Sequence, residues 1–239
     1  NYDNANVYWL TVRGTGLRMA EESVDPANPY DTTITEFRRA VHLEQDNMLR
    51  EYYDGGIYDH FMWYWTDETS LRLFVPSPGL VSGRAAELLC TGRTYDPELA
   101  DPLTGYMEAT VGGTRATPET QNQFFSRFTV GNLVEGLNEV SLRMWGNSSV
   151  APYLNHVKLR YPSRLVGTGG MLDVPLGEWQ DRPARLEVVD NFNATLMGLR
   201  IDDPLAPVLL TGFTRGGGTV ALTAGMTADG PNRFFFGET

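Results

Sequence analysis

One cysteine, Cys90, stands among 239 residues, so no disulfide can close within the chain. Secreted domains do not all need one, and the compartment stays open on that count. Basic residues are few: 19 Lys and Arg face 30 Asp and Glu, for a net charge of −11. A chain so acidic repels phosphate backbones and anionic lipid headgroups, which excludes nucleic acid as a partner. No apolar run approaches the roughly 18 residues that a helical membrane span needs. Histidine is scarce, with His42, His60 and His156 alone. The glycine triplet Gly216-Gly217-Gly218 has no Lys-Ser/Thr after it and reads as a hairpin tip, not a phosphate cradle. Neither Asp54-Gly55-Gly56 nor the acidic turn at Asp101 has EF-hand spacing. The chain opens at Asn1 without an initiator Met and is expected to be a piece of a longer protein.

What is present is strand. The 41% apolar and 11% aromatic content is enough for a packed core. Short segments rich in β-branched and aromatic residues recur at Val7–Val12, Leu71–Val75, Ala86–Thr91, Gly105–Val111, Gln123–Val130, Asn138–Trp145 and His156–Tyr161. Turn clusters such as Pro76-Ser77-Pro78-Gly79 and Gly112-Gly113 separate them. The one helical candidate, Glu36–Glu51, fits a helix period poorly, and Arg38–Leu43 reads as strand. Further strands are predicted at Arg185–Val189, Thr195–Arg200, Val208–Phe213 and Thr219–Thr223. The pattern predicts an all-β chain: a jelly-roll sandwich over 1–162, then a smaller β-sandwich over 163–239, divided near Tyr161-Pro162-Ser163. Cys90 lies in the apolar run Glu87-Leu88-Leu89-Cys90-Thr91 and is expected to be a buried, unreactive thiol.

The chemistry-bearing residues gather in the first third. His42, Glu44 and Asp46 are spaced by two, which on a strand puts them on one face. Asp59 and His60 follow closely enough to complete a site. Imidazoles with carboxylates suit zinc, whereas carboxylates and carbonyls alone suit calcium. The competing reading is a polar seam neutralised by Arg38, Arg39 and Arg50. The aromatic cluster from Tyr52 to Trp65 fits a glycan-stacking platform or a strand buried between layers.

Several landmarks run in a familiar order. Asn6-Val7-Tyr8-Trp9-Leu10-Thr11 leads into Gly14-Thr15-Gly16-Leu17-Arg18-Met19, then His42-Leu43-Glu44-Gln45-Asp46, then Asp59-His60-Phe61-Met62-Trp63. Gly136-Leu137-Asn138 before Val140-Ser141-Leu142, and Asp202-Asp203-Pro204 before Val208–Phe213, continue it. This series resembles the β-rich region ahead of the catalytic domain in gingipain-like cysteine peptidases and type IX secretion sortases. The family's Gly-His-Gly context and downstream catalytic Cys have no counterpart around His42, His60, His156 or Cys90. The resemblance therefore implies a non-catalytic accessory portion of a secreted or cell-surface bacterial peptidase. Its partners would be the adjacent peptidase domain of the same polypeptide and a protein or glycan ligand. Its role would be recognition unit, spacer or pro-region. A metal-dependent hydrolase or metal-binding module on His42, Glu44, Asp46, Asp59 and His60, and a glycan-binding module, are the alternatives.

Overall fold

A computed structural model describes residues 19–44, 48–49, 61–62, 64–65, 70–95, 106–121, 125–145, 151–177 and 181–239. Every regular element among them is a strand. The first sandwich packs a four-stranded sheet (Thr114–Arg115, Tyr106–Val111, Gly136–Trp145, Ser70–Ser77) on a larger one. The larger sheet runs Thr117–Gln121, Phe125–Val130, Ala86–Tyr95, Ala151–Arg164, Glu36–Glu44, with Tyr64–Trp65 also paired to Ala151–Arg164. From Ser70 to Arg164 the six longer strands alternate between the two sheets, the connectivity of a jelly roll. Period-two patterning drives the packing. Leu88 and Cys90 from one sheet, with Phe128 and Val130 beside them, meet Val75, Val111, Val140 and Leu142 from the other.

The second sandwich is built from both ends of the described chain. One sheet is Ala20–Ser23, Val208–Thr211, Leu196–Arg200, Arg233–Glu238, Met171–Pro175; the other is Thr214–Gly216, Thr219–Gly225, Pro183–Val189, Thr32–Ile34. The two early strands add to sheet edges in parallel, Ala20 opposite Val208 and Thr32 opposite Ala184. All other pairings are antiparallel among the described strands. The core holds Leu172, Val174, Leu186, Val188, Leu222, Phe234 and Phe236. Edge coverage by these short strands removes unpaired N–H and C=O groups that would invite aggregation.

Two strands join the units. Glu36–Glu44 and Ala151–Arg164 pair antiparallel over nine residue positions, from Glu36 opposite Arg164 to Glu44 opposite His156. Phe37 and Leu165, at one end of this ladder, belong to the second core. Val41, Leu43, Val157 and Leu159, further along, pack in the first. The expected division near Pro162 thus falls within a strand that runs unbroken to Arg164, and 20–34 pairs with strands of the second unit.

The Pro78–Gly79 turn locks the joint. The buried Tyr161 hydroxyl and the Ser163 hydroxyl both donate to the Pro78 carbonyl at 3.1 Å. Burial pushes the Tyr161 phenol above its ordinary pKa, so it stays a donor. Arg164 N–H donates to the Gly79 carbonyl at 2.7 Å, and Gly79 N–H to Glu135 Oε1 at 2.7 Å. Gly79 has φ of +73°, and a Cβ there would stand 2.3 Å from Val166 Cγ1.

Most expected strands are present, including Arg38–Leu43 within Glu36–Glu44. Val7–Val12 lies outside the described residues. The Gly216-Gly217-Gly218 tip is a hairpin turn, with Gly217 and Gly218 at φ of +62° and +77°. Strands that escaped the sequence reading include Ala20–Ser23, Thr32–Ile34, Thr117–Gln121, Met171–Pro175 and Arg233–Glu238.

Two outcomes follow from these contacts. Gly79→Ala meets both a left-handed backbone and a steric block, whereas Gly83→Ala at φ +77° meets open space. Gly83→Ala should cost about 1–2 kcal/mol and Gly79→Ala clearly more, read as urea midpoints. In the second unit, Arg215 Nε donates to Asp190 Oδ2 at 2.7 Å, and this bond holds the carboxyl below the usual carboxylate range. A depressed folded pKa gives stability present above the unfolded value of about 3.9 and lost as pH falls towards the folded one. Asp190→Asn should therefore destabilise at pH 7, and its difference from the wild type should shrink in thermal melts taken below about pH 4.

Candidate functional site

The Glu36–Glu44 strand alternates cleanly. Phe37, Arg39, Val41 and Leu43 turn inward, and Arg38, Ala40, His42 and Glu44 turn to solvent. The spacing of two therefore puts His42 and Glu44 side by side on the outer face. His42 Nε2 lies 2.7 Å from Glu44 Oε2, close enough for a charge-assisted hydrogen bond. Asp46, Asp59 and His60 lie outside the described residues.

A third group comes from the neighbouring strand. Strict alternation along Ala151–Arg164 would send Leu154 and Val157 to opposite faces, yet both are fully buried in the first core. A bulge at Asn155 reconciles them, since the register against Ala86–Tyr95 shifts between Leu154 and His156. The extra residue resets the phase, and His156 emerges on the outer face opposite Glu44. His156 and His42 rings then stand 4.6 Å apart, tilted by 32°. Asn155 Oδ1 lies 2.6 Å from His156 Nδ1. One donor atom each from His42, Glu44 and His156 lie within 4.8 Å of one another.

Sequence reasoning found two of these three. His156 sat in a predicted strand, but which strand it would oppose, and on which face, depended on a ladder 112 positions apart in sequence and on a one-residue bulge. The only local signal was the polar Asn155-His156 pair before an apolar run. Chemically, two imidazoles and a carboxylate can form a hydrogen-bonded polar cluster or share one borderline cation.

Two of the arginines expected to neutralise this group, Arg38 and Arg39, go elsewhere. Arg38 pairs with Glu87 at 3.6 Å, and Arg160 and Arg127 reach the same carboxylate at 3.0 and 3.9 Å. Three guanidiniums around one largely covered carboxylate knit four strands of the outer face. Arg39 turns inward to the joint, donating to the Val166 carbonyl and, at 3.4 Å, to the Thr168 hydroxyl. Burial there lowers its pKa. It lines a cleft of about 380 Å³ between the sandwiches with Phe37, Val41, Pro76, Pro78 and Met171. Arg50 lies outside the described residues, as does the side-chain arrangement of the aromatic cluster.

Cys90 is fully buried and packs between the sheets. Desolvation pushes its thiol well above the ordinary range, so the nucleophilic thiolate is suppressed. Among the described residues no helix is long and apolar enough to cross a membrane.

No protein-family model matches the chain, and no curated protein matches its sequence. Among solved structures, the chain is similar to dimeric latent PorU from Porphyromonas gingivalis, with a TM-score of 0.66 at 13% identity. The match covers 92% of this chain and 22% of PorU, so the chain spans about a fifth of that protein's length. At this identity the likeness establishes a shared fold: the tandem arrangement described above is also an arrangement found within a much longer polypeptide.

Proposed function

We propose that this chain is a non-catalytic accessory portion of a secreted, gingipain-like cysteine peptidase, acting beside a peptidase domain of the same polypeptide. The observation that carries this reading is the fit of nearly the whole chain to a fraction of PorU. The ordered motifs of the first third, which resemble the region ahead of the peptidase domain in that family, point the same way.

The interior supports a scaffold. The sole cysteine is sealed between two sheets, where a thiolate is disfavoured and a substrate carbonyl has no approach. The joint is built for rigidity: Glu36–Glu44 enters both cores, Ala151–Arg164 runs from the first core to the edge of the second at Leu165, and the Pro78–Gly79 turn bonds to the latter strand at several points. A stiff two-sandwich unit suits presentation of a neighbouring domain at a fixed angle, with recognition through surface groups. Recognition unit, spacer and pro-region all draw on that rigidity.

The coding sequence beyond Thr239 tests the assignment. It should encode a domain with a Gly-His-Gly segment and a downstream catalytic Cys; a gene lacking any peptidase domain contradicts it. The purified chain should show Cys90 silent to a thiol reagent until urea unfolds it, and no peptide hydrolysis that Cys90→Ser abolishes. Rapid native labelling, together with Cys90-dependent cleavage, would make the chain itself the enzyme.

A further inference from the structure

The accessory reading leaves the outer end of the joint without a task. We propose that His42, Glu44 and His156 form a surface site for one divalent transition ion of the zinc type. The site rests on geometry in this chain alone and stands whether or not a peptidase domain lies beside it.

The donor set selects the ion. Two imidazole nitrogens and one carboxylate oxygen make a borderline N₂O set, which suits zinc and its first-row neighbours. Calcium takes six to eight oxygens, and the trio among the described residues offers one carboxylate. The distances fit. Ligand atoms about 2.0–2.2 Å from a tetrahedral zinc lie roughly 3.3 Å from one another. His42 Nε2 and Glu44 Oε2 are 2.7 Å apart, and no pair in the trio exceeds 4.8 Å. Small side-chain rotations at an exposed surface close the difference.

The support around the donors is of the kind that metal sites use. An amide oxygen only accepts, so Asn155 Oδ1 holds the proton of His156 on Nδ1 and places the ring's lone pair on Nε2. The bulge that turns His156 outward thus also supplies its orienting partner. Each ligand stands on a strand whose alternate residues, Val41 and Leu43 on one and Val157 on the other, are packed in the first core. When an ion enters, the proton that His42 Nε2 shares with Glu44 moves to His42 Nδ1. Nε2 then coordinates through its lone pair. Three protein ligands on an open face leave the fourth position to water.

The test uses the full chain, stripped with a chelator and dialysed. Zinc is titrated by calorimetry, and cobalt(II) by its visible absorption, which reports a tetrahedral site. One ion per chain is expected, with a tetrahedral cobalt band. His42→Ala, Glu44→Gln and His156→Ala should each weaken zinc by at least about tenfold, and Asn155→Ala by roughly tenfold through loss of orientation. Millimolar calcium should leave the zinc isotherm unmoved. His42 and Glu44 are exposed, so their variants keep the wild-type urea midpoint and serve as the folded controls. No zinc uptake at about 100 μM, uptake unchanged by His42→Ala, or displacement by calcium overturns the site.

Discussion

The antiparallel ladder between Glu36–Glu44 and Ala151–Arg164 is the constraint on which the rest of the structure depends. Glu36–Glu44 contributes Phe37 to one core and Val41 and Leu43 to the other, while Ala151–Arg164 fills the first core and hands the chain at Leu165 to the second. Sliding Glu36–Glu44 by one residue would send Phe37, Val41 and Leu43 to solvent and bring Arg38, His42 and Glu44 inward, so both cores enforce one register. That register sets where the early strands reach the second sandwich and where the jelly roll closes. It also explains why a glycine is required at position 79, where a turn presses against the ladder's exit.

The same constraint makes the surface cluster. His42 and Glu44 face outward because their neighbours are held inward, and His156 meets them because the ladder puts it opposite Glu44. The Asn155 bulge completes the arrangement by changing the phase of one strand for one residue. A site on two packed strands needs little reorganisation to bind, whereas the same residues on a loop would have to be ordered first. Arg38 and Arg39, two arginines that could have neutralised the cluster, are engaged by Glu87 and by the joint.

The sequence made the class of the fold legible and its closure illegible. Short runs rich in β-branched and aromatic residues, bounded by turn clusters, revealed strands such as Leu71–Val75, Ala86–Thr91 and His156–Tyr161, because such side chains pack well on a pleated sheet. Arg233–Glu238 escaped, since its three successive phenylalanines hide the alternation of buried Phe234 and Phe236 with half-buried Phe235. Ala20–Ser23 and Thr32–Ile34 escaped because short polar edge strands carry little hydrophobic pattern. The expected break at Pro162 fell within a continuous strand, since a proline near a strand's end does not by itself stop the ladder. At the site, spacing revealed His42 and Glu44 on one face, and only long-range pairing could reveal His156.

The central claim is that the two sandwiches are one cooperative unit because one ladder joins them. Native-state hydrogen exchange tests it directly, by comparing slow amides of Ala86–Thr91 in the first core with those of Arg233–Glu238 in the second. Both sets should report the same opening free energy and the same dependence on denaturant, with the ladder amides among the slowest. Opening of one sandwich at a markedly lower free energy, while the other and the ladder stay protected, would contradict the account.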